Sequence, residues 1–193
     1  MNELEDIKSF LRKLTGEPDK DLDVLDKLCS LKKYHKNDFF LEPKTIAVYS
    51  GFIVNGIFRE FYIDANDREF NKAFCFKGDI TGSYYDLHMG APSGVGIQAL
   101  TDSTVLVIRQ TDFTVLSRAD PFWLKVNYEI AHRLLMKKFE KEAQLLVLSA
   151  AERYHLLQQR HPDLEQLIPA YHIASYLGIT AESLSRIRAR KGN

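Results

Sequence analysis

The sequence predicts an α+β fold in which an antiparallel β jelly-roll barrel is followed by one long helix and a C-terminal helix-turn-helix. Three observations predict it. From Leu31 to Arg109 the chain consists of short segments rich in β-branched and aromatic residues, separated by Gly, Asn and Asp. An apolar stripe at helical spacing then runs from Phe122 to about Ala150. The stretch IPAYHIASYLGITAESLSRIRARK, residues 168–191, carries two short amphipathic segments on either side of a glycine.

At 193 residues, with 45% hydrophobic and 11% aromatic residues, the chain can build real cores. Its 26 basic and 26 acidic residues cancel. No apolar run approaches the roughly eighteen residues needed to span a bilayer, and MNELEDIKSFLRK is too acidic and interrupted for a signal peptide, so a soluble cytoplasmic protein is expected. Cys29 and Cys75 are isolated from each other and from histidines at ligand spacing, which excludes a zinc site or iron–sulfur cluster within one chain and leaves buried inert thiols. His35 and His88 are far apart and in no ligand pattern, and there is neither a glycine-rich phosphate motif nor a nucleophile elbow. No catalytic residue, metal or cofactor is therefore expected.

In order along the chain, Leu4, Ile7, Phe10, Leu11 and Leu14 recur at helical spacing until Gly16 and Pro18 end the run, and Asp21 to Leu28 reads as a second short helix. The expected strands are Phe39 to Leu41, Thr45 to Tyr49, Ile53 to Ile63, Glu69 to Phe76, Val95 to Leu100 and Val105 to Ile108, with Asn55-Gly56, Asn66-Asp67 and Lys77-Gly78-Asp79 as turns. Short strands at this spacing suit a closed or sandwiched antiparallel barrel, which removes exposed edges. The longest irregular stretch, Gly82 to Gly96, is the natural mouth of that container. After Asp120-Pro121, the residues Tyr128, Ala131, Leu135, Phe139, Ala143 and Leu146 form the apolar stripe of the long helix. A helix of about 28 residues is about 42 Å long, more than one small domain needs, so a seam between two copies is favoured over simple packing on the barrel. Ser149 to Gln159 begins the terminal helices, and Leu164 to Ile168 is a short strand or an extended link. Three parts are expected: 1–120 with the barrel, 121–150 the long helix, and 151–193 the helix-turn-helix.

Within that terminal part Ala170 to Leu177 places Ile173, Ala174 and Leu177 on one face and stops at Gly178, the residue best able to take positive φ. Thr180 is a natural N-cap for the next helix, and Leu184 and Ile187 give it an inward face. The small Ala174 permits close crossing of the two helices. Glu182, Ser183, Ser185, Arg186, Ala189 and Arg190 face outward, and Glu182 to Lys191 holds four basic residues against one acidic. A local basic excess on a helix that fits a major groove points to double-stranded DNA. The Glu182–Arg186 pair, at i,i+4, also suits an ordinary solvated helix face.

Helical lead-in, barrel, long helix and helix-turn-helix in that order resemble the CRP/FNR family of bacterial transcription regulators. The likeness covers nearly the whole chain and is strongest at ITAESLSRIRAR, with SAAERYHLLQQRHP similar to the family's linking helix. The resemblance implies a cyclic-nucleotide-binding-like effector barrel, a homodimer through the long helix, RNA polymerase as a further partner, and a recognition helix reading an inverted repeat. Glu182, Ser185 and Arg186 match the family's E-x-x-S-R pattern in its FNR-like form, Ala181 standing where the CRP-like form has arginine. Arg186 can donate twice to guanine, Glu182 can accept from a cytosine amino group and Ser185 can approach thymine, so a TGA-type half-site is expected. His172, Thr180, Ser183, Arg188 and Arg190 are the expected phosphate contacts.

The departures from the family concern the barrel. Its nucleotide-binding members carry Gly-Glu and, about ten residues on, Arg-Ser or Arg-Thr; here Gly82 is followed by Ser83, and no arginine lies between Arg68 and Arg109. Cyclic AMP is therefore not the expected effector. Either the barrel takes another small molecule, with Arg59, Gly82, Ser83, Tyr84 and Tyr85 as candidates, or its pocket is vestigial. Lys137 stands where a nucleotide-binding member has a small hydroxyl residue, and the C-terminal strand of the family is expected to be short or absent. The alternative function is a ligand-binding or protein-interaction barrel whose shortened helix-turn-helix reads no specific DNA.

Overall fold

The computed structural model describes residues 3–189. Their strands are β1 Cys29–Tyr34, β2 Phe39–Leu41, β3 Tyr49–Asn55, β4 Phe58–Ile63, β5 Glu69–Cys75, β6 Ile80–Thr81, β7 Val95–Ala99 and β8 Ser103–Arg109. They form two four-stranded sheets, ordered β1-β8-β3-β6 and β2-β7-β4-β5, with antiparallel pairing throughout. This is the jelly-roll order, in which consecutive strands repeatedly cross from one sheet to the other. The helices are α1 Glu3–Thr15, α2 Val24–Leu28, α3 Tyr84–Met89, α4 Gln110–Ala119, α5 Pro121–Val147, α6 Ala150–Arg160, α7 Leu164–Leu167, α8 Ala170–Leu177 and α9 Ala181–Ala189.

Three apolar clusters hold these elements. Ile53, Phe58, Ile97, Val105 and Val107 fill the space between the sheets. On the outer face of the first sheet, Phe52 and Leu106 meet Ile7, Leu11 and Leu14 of α1 and Phe122, Trp123 and Val126 of α5. The third cluster joins Tyr154, Leu157, Leu164, Ile168, Ile173, Leu177 and Leu184 of the terminal helices to Ile57 and Leu100 of the barrel. The terminal helices are thus docked on the barrel.

Where structure and sequence expectation differ, the causes are local. The expected strand Ile53 to Ile63 is two strands in different sheets, because the chain turns at Gly56, where φ is 99° and a Cβ would fall 2.0 Å from the Ser103 hydroxyl. Of the expected strand Thr45 to Tyr49, Tyr49 opens β3 and Ile46 makes an isolated bridge to Pro92, while Lys44 takes φ 65° in a turn closed by the Thr45 N–H donating to the Glu42 carbonyl. The stretch Gly82 to Gly96 is not wholly irregular: α3 occupies its first half and ends at Gly90 in the left-handed region. Leu164–Leu167 is a helical turn rather than a strand, followed by the extended Ile168, and Leu164 and Ile168 are buried in the same cluster.

The long helix starts on an Asp120 cap that accepts from the Phe122 N–H, with Pro121 at its first position. It stops at Val147 rather than Ala150. Leu148 is extended, and Ser149 with Glu152 forms a complete capping box that starts α6.

Candidate nucleic-acid interface

Residues 170–189 fold as the sequence predicts at the decisive points. Helix α8 ends at Gly178 with φ 70° and ψ 32°, its N–H donating back to the Ala174 and Ser175 carbonyls. The Thr180 hydroxyl oxygen accepts from the Ser183 N–H at 3.2 Å, capping α9. Ile173, Ala174, Leu177 and Leu184 are buried, which fixes the crossing of the two helices. Among the described residues nothing lies within 4 Å of a Cβ built on Gly178. Gly178→Ala is therefore expected to cost only the left-handed backbone penalty, about 1–2 kcal/mol, and Gly178→Asn less. Urea unfolding midpoints of the two variants against the wild type check this.

Glu182, Ser185 and Arg186 are all exposed on α9, Glu182 one turn before the adjacent Ser185 and Arg186. The Glu182 carboxyl is held below the usual carboxylate range by bonds from its own N–H and from the Thr180 hydroxyl, so at neutral pH it is an acceptor-only group. Among the described residues Arg186 makes one long hydrogen bond, at 3.3 Å to the Ser183 hydroxyl. Its guanidinium fork is thus available to a planar acceptor pair. Thr180 is exposed and Ser183 half-buried beside them. Arg188 is braced within its own helical unit, 2.9 Å from Glu165, so a phosphate contact requires exchange of that partner. Arg190 lies outside the described residues.

His172 does not fit its expected phosphate role. It is 6% exposed and faces the barrel, its Nδ1 lying 3.2 Å from the Asn71 amide nitrogen, which also donates to the His172 carbonyl at 2.9 Å. The Asn71 N–H donates in addition to the Ser175 hydroxyl oxygen at 2.9 Å. Sequence reading missed Asn71 because an isolated asparagine on a strand gives no signal of a partner 101 residues away. Around this contact Phe74 packs on Tyr176, Lys141 lies over the Tyr176 ring at 4.1 Å, and Phe76 stacks on His161.

Burial, aided by the nearby Arg59 charge, pushes His172 down to about 4 from an ordinary 6.5. A protonated Nδ1–H would point a donor at the donating Asn71 amide. Because the folded-state value is depressed for a base, the contact contributes fully above pH 6.5 and weakens as pH falls from 6.5 towards 4. The expected loss is about 3 kcal/mol at the acid end. Denaturant midpoints of wild type and His172→Gln between pH 7.5 and 4.5 should converge as pH falls; parallel curves would exclude His172 as the titrating group.

The long helix presents a second surface. Trp123 and Val126 face the barrel, whereas Tyr128, Leu135, Phe139 and Leu146 on the opposite side are 64%, 44%, 54% and 82% exposed. Ala131 and Ala143 complete this stripe. An apolar face so exposed on one chain is suited to a second copy.

The expected effector residues are not brought together as one set. Arg59 is buried on the second sheet, with its guanidinium 2.6 Å from Glu69 and bonded to Asn71 and Gln98, so its charge is already used. Tyr85 is 70% exposed. Ser83 donates to Asp86 at 2.5 Å, as does Ser93, which fixes a buried carboxylate inside the loop. Gly82 and Tyr84 instead line an apolar cavity against α1 and α5. Lys137 pairs with Asp79 at 2.7 Å.

No protein-family model and no curated protein sequence matches the chain. Solved structures do. A protein from Eubacterium rectale assigned to the CRP/FNR family of transcriptional regulators superposes with TM-score 0.70 at 13% identity, over 97% of this chain and 84% of that one. FixK2 from Bradyrhizobium japonicum gives 0.66 at 20% identity over 84% of each chain. The c-di-GMP-responsive global regulator CLP from Xanthomonas campestris gives 0.67 at 16% over 88% of each. At these identities the likeness establishes the fold: barrel, long helix and helix-turn-helix are arranged as in CRP/FNR-family structures.

Proposed function

We propose that this chain is a homodimeric, sequence-specific DNA-binding transcription regulator with a non-enzymatic barrel. The observation that carries this reading is the exposed trio Glu182, Ser185 and Arg186 on α9, backed by a helix-turn-helix in which Ile173, Ala174, Leu177 and Leu184 are buried. Arg186 reads guanine O6 and N7, Glu182 accepts from a cytosine amino group, and Ser185 meets thymine, giving a TGA-type half-site. Thr180 and Ser183 orient the helix on phosphates. The α5 stripe joins two copies so that two such helices meet an inverted repeat, and RNA polymerase is the further partner of a regulator of this kind. Residues 1–120 hold the barrel unit, 121–150 the seam and 151–193 the reading head.

Selection of bound duplexes from a random pool, at a stated salt concentration, tests this. An enriched inverted repeat is expected; salt-sensitive binding without enrichment would favour a barrel protein whose terminal helices serve another purpose.

Cyclic AMP does not control this protein on the same reading. The loop that follows Gly82 holds the carboxylate of Asp86 and no arginine, so a cyclic phosphate would meet a like charge without a compensating cation. Calorimetric titration with cyclic AMP and cyclic GMP is expected to show no binding up to millimolar concentration, and micromolar binding would overturn the assignment.

A further inference from the structure

The two arginines of α9 are held differently. Arg186 bonds to the Ser183 hydroxyl, a neutral group on its own helix. Arg188 is held by a carboxylate from another element: its Nη2 lies 2.9 Å from Oε1 of Glu165 on α7, and its Nε donates to the same oxygen at 3.1 Å. That oxygen also accepts from the hydroxyl of Tyr154 on α6, a side chain only 1% exposed, whose own oxygen accepts from the Gln158 amide at 2.7 Å. The carboxylate is therefore anchored from the interior, and the ion pair ties α9 to α6 and α7. Arg188 follows the exposed Ser185 by three residues, which puts it on the flank of α9 beside the base-reading positions. Both partners remain about a third exposed, at 34% and 31% of their side-chain surface.

We propose that Glu165 withholds Arg188 from the DNA backbone, so that each recognition helix docks with one phosphate contact fewer than its sequence offers, and sequence-independent affinity is held down. The inference rests on the DNA-binding reading. A free arginine gains a phosphate outright, and the counterion that this phosphate releases favours binding. Arg188 instead has to break one ion pair to make another, and the exchange leaves the Glu165 carboxylate unpaired beside a polyanion. All duplexes carry the same phosphates, so the withheld contact lowers affinity for every sequence alike. Glu165 thus acts as a positioning residue through Arg188 and touches no base.

Anisotropy titration of a labelled random-sequence duplex over a range of salt concentration tests this. Glu165→Gln removes the charge but keeps an oxygen for the Tyr154 hydroxyl. It is expected to steepen the dependence of log affinity on log salt by about 0.9 per arginine, or about 1.8 for a dimer, so that affinity falls about tenfold further between about 50 and about 200 mM salt. Arg188→Gln should leave the wild-type slope nearly unchanged, and the double variant should restore it. An unchanged slope in Glu165→Gln would reduce the pair to a structural brace, and a slope flattened as much by Arg188→Gln would mean that Arg188 already meets a phosphate; either result overturns the proposal. Arginine Nε–H resonances of the wild-type chain give a second readout that needs no variant to fold. Added duplex should shift the Arg186 resonance and leave that of Arg188 in place, whereas a shift at Arg188 would overturn the withholding role while sparing the DNA-binding reading. If no duplex shifts either resonance or changes the anisotropy, the DNA-binding reading fails and this inference falls with it.

Discussion

Replacing Leu135 and Phe139 together by glutamate is expected to convert the protein to a monomer and to weaken its binding to an inverted repeat by at least a hundredfold. Both side chains are about half exposed on the single chain, so the folded monomer loses little; two like charges one turn apart cost the helix only about 0.2–0.5 kcal/mol. In a twofold seam each change counts twice. Burying the remaining exposed half of four large apolar side chains contributes about 4 kcal/mol, and forcing four carboxylates into that place adds a desolvation penalty on top. Loss of the second reading head then removes the intramolecular advantage of the second half-site, roughly 10²–10⁴ in affinity. Sedimentation equilibrium with circular dichroism checks both parts. A variant that remains dimeric would place the interface elsewhere.

Arg186→Ala should cost about 1–3 kcal/mol at each half-site, hence up to about 6 kcal/mol on the full repeat, and far less on random DNA. The asymmetry between the two DNAs is the diagnostic, because a bidentate contact to guanine carries sequence information and a phosphate contact does not. Arg186→Lys retains the charge without the planar fork and should therefore resemble Ala on the cognate site more than wild type. Equal losses on both DNAs would assign Arg186 to the phosphate backbone instead.

The helix-turn-helix was more legible in the sequence than the barrel, for reasons set by range of interaction. Gly178, Thr180, Leu184 and Ile187 act on neighbours within a few residues, so their spacing alone specifies a stop, a cap and an inward face. The jelly-roll could be expected as a class, but β1, β6 and α4 gave no periodic signal: β6 is two residues long, and α4 buries none of its residues fully. The docking of α8 on the barrel was invisible for the opposite reason. It depends on Asn71 meeting His172 and Ser175 across more than a hundred positions, and on the Arg59 charge being consumed by Glu69 and Gln98. That contact moved His172 from the expected DNA surface into the interior, and it moved Arg59 out of any effector site.

A hydroxyl-radical footprint of the full chain on the duplex it selects most strongly tests the proposed dimeric reading of DNA most directly. Two protected TGA-type half-sites, related by twofold symmetry and about 34 Å apart along one face of the helix, are the predicted pattern. A single protected half-site, or uniform protection without sequence dependence, would contradict it.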